Sequence, residues 1–176
     1  RGDAMQNAVP KGEGGMIAVL GSSIETIEKI IIDNKSKFTV QIANDNSNGQ
    51  IVLSGKNNDL EGFKNLLESK SIKNISLPVS APFHCKLMSN ATEIMKKEIN
   101  NINFTDGINT LISNVTAGEI SNKDELKKLL IDQIENRVRW RESIIFMIEK
   151  GVKTFVEIGP GKVLSGLIKR INKDVK

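Results

Sequence analysis

The chain has 176 residues, 39% of them hydrophobic, enough for one or two small domains with a real core, and no apolar stretch is long enough to cross a membrane. A net charge of +4, with no Tyr, one Trp and six Phe, excludes the dense cationic stripe and the aromatic platforms of a dedicated nucleic-acid binder. A single cysteine, Cys85, excludes an internal disulfide framework and fits a reducing, cytoplasmic compartment, while a single histidine, His84, excludes a histidine metal cage.

Along the chain, Gly12-Glu13-Gly14-Gly15 marks the first boundary. The apolar run from Met16 to Leu20 predicts a strand. Ser22 followed by Glu25 predicts a capping box, and Ile24, Ile27, Ile30 and Ile31 then line one helical face. Phe38 to Ala43 alternates as a strand does, Asn48-Gly49 predicts a tight hairpin, and Gln50 to Ser54 is the returning strand. Asn57 or Asn58 caps a second helix whose inward face is Leu60, Phe63, Leu66 and Leu67. Ile72 to Val79 predicts a fourth strand. The order βαββαβ over residues 15–79 is a ferredoxin-like arrangement.

The remainder reads as α/β. A helix is expected near Phe83, with Leu87, Ala91, Ile94 and Met95 inward. Thr110 to Val115 is expected as a strand, and Asn122 with Glu125 caps a helix bearing Leu126, Leu129 and Leu130. Trp140, Ile144, Met147 and Ile148 have the spacing of another buried helical face. Val152 to Ile158 predicts a strand, Gly159-Pro160-Gly161 a turn, and Val163, Leu164, Leu167, Ile168 and Ile171 a last helix. Lys162 after that turn does not make a nucleotide loop, because the Gly-x-x-x-x-Gly-Lys-Ser/Thr spacing is missing.

His84 sits in Ala81-Pro82-Phe83-His84-Cys85-Lys86-Leu87-Met88, and a lone imidazole can act as a general base near neutral pH. Five segments in order carry a family likeness: Arg1-Gly2-x-x-Met5-Gln6; Ala43-Asn44-Asp45-Asn46-Ser47-Asn48-Gly49-Gln50-Ile51-Val52-Leu53-Ser54-Gly55; the His84 run; Gln133 with Val138-x-Trp140; and Glu157-Ile158-Gly159-Pro160-Gly161-Lys162-Val163-Leu164. Together they resemble the malonyl-CoA:acyl carrier protein transacylases and the related acyltransferase domains of fatty acid and polyketide synthases. Asn48 stands where that family often has proline.

The resemblance implies a partial α/β-hydrolase-like acyltransferase core with an inserted ferredoxin-like small subdomain. Residues 1–14 and 80–176 then belong to the large subdomain and 15–79 to the small one. It implies transfer of malonyl from malonyl-CoA to the phosphopantetheine thiol of acyl carrier protein through an acyl-serine, with no metal or bound cofactor. By the same resemblance His84 is the base, and a carbonyl around Gln133 holds its second ring nitrogen. Arg1 is the bidentate handle for the malonyl carboxylate, a geometry that lysine cannot match. Met5 and Val163 are expected as pocket walls. Phe83 is expected to disfavour branched acyl groups, and Asn44 with Asn46 to meet the thioester-bearing arm. Lys86, Lys162, Lys169 and Arg170 are candidate docking charges for an acidic carrier protein.

No Gly-x-Ser-x-Gly elbow occurs in the 176 residues. In the family the nucleophile and oxyanion amides precede the Arg-Gly-x-x-Met motif. The chain is therefore expected to be a C-terminal portion, inactive alone. Cys85, beside His84 in sequence, is expected to point elsewhere. The alternative is a non-enzymatic binding or regulatory module on an acyltransferase-derived scaffold. A domain of a larger synthase would share the transfer chemistry.

Overall fold

A computed structural model describes all 176 residues. Four strands form one antiparallel sheet: β1 (Gly14–Leu20), β2 (Val40–Ser47), β3 (Gln50–Lys56) and β4 (Lys73–Ser76), in the order β2-β3-β1-β4. Helices α2 (Ile24–Asp33) and α3 (Asn57–Ser69) are the two crossovers. Successive strand residues point to opposite faces. Ile17, Val19, Ile51 and Leu53 therefore pack with Ile27, Ile30, Leu60, Phe63 and Leu67 of the helices. Phe38 meets Phe63 edge-on at 5.9 Å between ring centroids. The opposite sheet face buries Met16, Ala43 and Val52 against Leu77 and Phe83. β1 is covered on both sides, which is why it reads as an unbroken apolar run.

The hairpin between β2 and β3 turns at Asn48-Gly49, with Gly49 at φ +71°, as the dipeptide predicts. Two expected caps move. Ser23, not Ser22, caps α2, its hydroxyl accepting the Thr26 N–H at 3.3 Å. α3 starts at Asn57 behind Lys56, because the Asn57 side chain instead donates to the Gly12 carbonyl at 2.6 Å.

The other helices are α1 (Gly2–Gln6), α4 (Ser89–Asn101), α5 (Lys123–Asp132), α6 (Trp140–Glu149) and α7 (Val163–Ile171). Met5 and Ala8 pack with Met88, Ala91 and Ile134, joining the chain's start to α4 and the end of α5. Ile144, Ile168 and Val175 join α6 to α7. Asn122 caps α5 as expected, accepting the Asp124 and Glu125 N–H groups. The helix expected near Phe83 starts only at Ser89, after a short 3-10 turn over Lys86–Met88. His84 is left-handed (φ 57°) and Cys85 extended (φ −143°), and neither conformation can open a helix. The inward face of this helix runs through Ala91, Met95 and Ile99, so Ile94, expected inward, is exposed.

Two expected strands do not join a sheet. Residues 110–115 contribute one isolated bridge, Ile112 to Glu119. Residues 152–158 run without regular structure, bonded only locally and to Lys176. β-propensity is present in both, but a strand exists only where a neighbour completes the ladder. No helix is long and apolar enough to cross a membrane.

Candidate active site

His84 lies on a loop that the sheet seats. The first residue of β1 is glycine because Pro82 leaves no space: a Cβ on Gly14 would sit 2.4 Å from the Pro82 ring. Phe83 then packs half-buried between two apolar clusters, and Cys85 turns into the interior, 1% exposed. The Cys85 thiol donates to the Pro82 carbonyl at 3.1 Å, and burial pushes its pKa up. It is a structural thiol pointing away from His84's surroundings.

The His84 backbone is left-handed, which disfavours any residue with a Cβ and persists only where its surroundings hold it. The hold is visible. His84 Nδ1 lies 3.0 Å from the Gln133 backbone carbonyl. A carbonyl only accepts, so Nδ1 carries the proton and Nε2 keeps its lone pair. The Gln133 side-chain nitrogen, 3.2 Å from Nδ1, is then a second donor in close contact rather than a bond. Gln133 is the residue at which α5 ends, where backbone carbonyls lack helical partners and the helix dipole is negative. That end favours an imidazolium when one forms.

Arg1 donates to the Oε1 of the same Gln133. The residue as a whole is exposed, but its head rests on Gln133, and desolvation lowers its pKa from the ordinary arginine value. Burial is the main reason that the His84 pKa is lowered. The Gln133 carbonyl opposes this, and the positive charge of Arg1 adds to it. His84 is accordingly a neutral imidazole with its proton on Nδ1, which is the form a general base needs. It borders a cavity of about 440 Å³ whose walls include Ile31, Ile42, Gln41 and Arg137. A smaller cavity of about 170 Å³ has Arg1 and Gln133 in its wall.

The expected residues thus fall into groups. His84, Gln133 and Arg1 meet directly, and Met5 and Phe83 pack in the cluster beneath them. Asn44 is half-buried on β2, where it pairs with Val138. Val163 opens α7, is 71% exposed and belongs to neither group. The turn before α7 is closed to phosphate. The Glu157 carboxylate accepts the Leu164 and Ser165 N–H groups and the Ser165 hydroxyl, and these bonds lower its pKa. No cluster of His, Cys, Asp and Glu has the makings of a metal site.

Sequence reading missed a charged seam beside the site. Arg141 clasps the buried Asp45, its Nε 3.1 and 3.0 Å from the two carboxylate oxygens and a terminal nitrogen at 2.8 Å. Arg139 pairs with Glu142, and Arg137 with Glu28 at 2.7 Å. An acid at a buried strand position and the alternating arginines 137, 139 and 141 were the available signals. Nothing local pairs residues 96 apart.

No family model matches the chain. It is 42% identical over 178 residues to the malonyl CoA-acyl carrier protein transacylase of Bacillus subtilis (strain 168), covering 100% of this chain and 56% of that protein. The Escherichia coli (strain K12) malonyl CoA-acyl carrier protein transacylase is 36% identical over 172 residues, 97% of this chain and 56% of its own length. Among solved structures, the malonyl CoA-acyl carrier protein transacylase of Clostridium perfringens superposes with a TM-score of 0.95 at 42% identity, over 99% of this chain and 55% of that one. A malonyl-transacylase in complex with its type II PKS acyl-carrier protein superposes with a TM-score of 0.92 at 33% identity, over 98% of this chain and 56% of that one. The chain spans a little over half the length of these relatives.

Proposed function

We propose, from the premise that this chain belongs to the malonyl CoA-acyl carrier protein transacylase family and aligns with its C-terminal portion, that it carries the base and the carboxylate handle of a malonyl transfer. The donor is malonyl-CoA and the acceptor the phosphopantetheine thiol of acyl carrier protein, in the cytoplasm. The observation that carries the reading is Gln133 itself. Its carbonyl faces His84 Nδ1 while its side chain holds Arg1, so one residue sets both the base and the guanidinium.

The chemistry follows in two symmetrical steps. His84 Nε2 takes the proton of a serine hydroxyl as that oxygen attacks the thioester carbonyl. The tetrahedral intermediate collapses, the C–S bond breaks, and the proton passes to the coenzyme A sulfur. In the second step His84 takes the proton of the carrier thiol, the sulfur attacks the acyl-serine, and the proton returns to the serine oxygen. The Gln133 carbonyl stabilises the imidazolium in both. Arg1 holds the malonyl carboxylate as a fork, and that negative charge offsets the guanidinium's pressure on His84, raising its basicity once substrate is bound. The serine and the oxyanion amides lie outside these 176 residues in this reading. No metal or resident cofactor has a part in it.

The same reading makes residues 15–79 the small ferredoxin-like subdomain, supported by the βαββαβ order and the β2-β3-β1-β4 sheet. Residues 1–14 and 80–176 form part of an α/β-hydrolase-like large subdomain. Met5 and Phe83 supply its apolar floor, and Phe83 disfavours branched acyl groups by about 1–3 kcal/mol. On the family likeness alone, Asn44 meets the thioester-bearing arm and Val163 is a pocket wall. Lys86, Lys162, Lys169 and Arg170 serve carrier docking.

The test is intact mass of the protein extended to the relatives' full length, after brief exposure to malonyl-CoA. A single malonyl adduct that carrier protein discharges is the expected result. A folded protein that takes no adduct overturns the reading in favour of a non-enzymatic binding module.

A further inference from the structure

Both halves of the His84–Gln133 pair hang from one strand. β2 is the edge of its sheet, hydrogen-bonded in it only to β3, so its outer edge is free to bind other segments. On the histidine side, Lys86 N–H donates to the Gln41 side-chain oxygen at 2.7 Å, two residues after the left-handed His84. On the glutamine side, Val138 N–H donates to the Ala43 carbonyl at 2.8 Å and Asp45 N–H to the Val138 carbonyl at 2.9 Å. Arg141 then clamps Asp45, which is 1% exposed. The register of β2 shifts between Ile42 and Asn44 and again between Asp45 and Ser47. Such bulges re-aim side chains out of the regular pleat. Asp45 lies between the two shifts and reaches Arg141, 96 residues away, while Gln41, in regular register ahead of them, reaches Lys86, 45 residues away.

We propose that β2 aligns the base, with Gln41 and Asp45 as positioning residues: Gln41 holds the His84 loop and Asp45 the segment after Gln133, so that Nδ1–H meets the carbonyl and Nε2 faces the reactants. The inference rests on the reading of His84 as the base. The strand belongs to the sheet unit, yet it sets the geometry of a pair carried wholly outside that unit. Reactive geometry tolerates little error, since small misplacements far from the chemistry are felt in rate. The salt bridge from Lys86 to Glu135, 3.3 Å long, ties the two loops directly but is largely exposed on the lysine side and is the weaker link. Charged groups bordering His84 or its cavity are Arg1, Lys86, Glu135, Arg137 and, from α2, Glu28.

His84 is the only histidine, so its imidazole can be followed without ambiguity in the 15N-labelled 176-residue chain. The measurement is the long-range 1H–15N correlation of the ring, which reports which nitrogen carries the proton. In the unaltered chain the Nδ1–H tautomer is expected to dominate. In Gln41→Leu and in Asp45→Asn the ring is expected to move toward the Nε2–H form that a free side chain prefers, with loss of the protected Nδ1 proton. Gln41→Glu, which keeps an acceptor oxygen at the same reach, restores it. Glu61→Gln, which breaks an exposed pair on α3, leaves the ring unchanged. Backbone amide spectra establish that each variant is folded. An Nδ1–H ring persisting in both folded variants overturns the inference. An unaltered chain already in the Nε2–H form overturns the base assignment beneath it.

Discussion

The sheet unit and the helical remainder solve the burial problem differently. Residues 14–76 pair their strands with one another and close two helices over ten buried apolar side chains. Residues 80–176 hold their apolar residues in smaller groups and leave others outside: Ile108 is 99% exposed, Ile158 94% and Val156 78%. The sheet unit can bury its faces because its strand partners are local in the topology. The remainder has extended segments, 110–115 and 152–158, with no strand beside them. The difference is one of closure: within these 176 residues the sheet unit finds its strand partners and the remainder does not, and His84 and Gln133 sit at the seam, on a loop and a helix end held by contacts from both regions.

Substitutions should separate the two. Phe63→Ala, at the centre of the closed core and 1% exposed, is expected to cost about 3–5 kcal/mol in denaturant unfolding, the largest stability loss in the chain. A loss below about 1 kcal/mol would mean that the sheet unit is not the stable half. Arg141→Met strips the buried Asp45 of its partner. About 3 kcal/mol is expected, toward the low end for a broken buried pair, since water can reach the seam from the arginine side. If the unfolding midpoint does not move, the two regions are not latched there. His84→Ala should sharpen the contrast from the other side. In the protein extended to the relatives' length it should lower acyl transfer about 10²–10⁴-fold while leaving the unfolding midpoint nearly unchanged.

Acidity probes the same seam. Burial lowers the folded His84 pKa below its unfolded value, so between the two the unfolded chain takes up a proton that the folded chain refuses. This contribution to stability is full above the unfolded value. It falls as pH drops toward the lowered folded value and changes no further below it. His84→Gln should flatten that part of the stability profile, whereas a substitution confined to the sheet core should not. Arg1→Ala should narrow the window by raising the folded value, since Arg1's charge opposes protonation. At the bottom of the scale, Val156→Thr is expected to alter stability by less than about 0.5 kcal/mol, because the side chain is already in water.

Periodicity was enough to place most elements. The order βαββαβ, the turn at Asn48-Gly49, the Asn122 cap and the inward faces of α2 and α3 follow from relations within a few residues, which local backbone physics enforces. The single imidazole and its segment could be singled out for the same reason, since residue chemistry needs no partner to be visible. The residues that surround it could not. Asp45 with Arg141, Gln41 with Lys86 and His84 with Gln133 join positions 45 to 96 apart, and only the folded topology brings them within hydrogen-bond reach. The failed strands at 110–115 and 152–158 teach the converse. Their composition suits a strand, but pairing is a property of two segments. The sequence alone therefore determined most of the local elements and singled out one imidazole. The tertiary structure decided which nitrogen of that imidazole carries its proton and what holds it there, because both depend on neighbours distant in the chain.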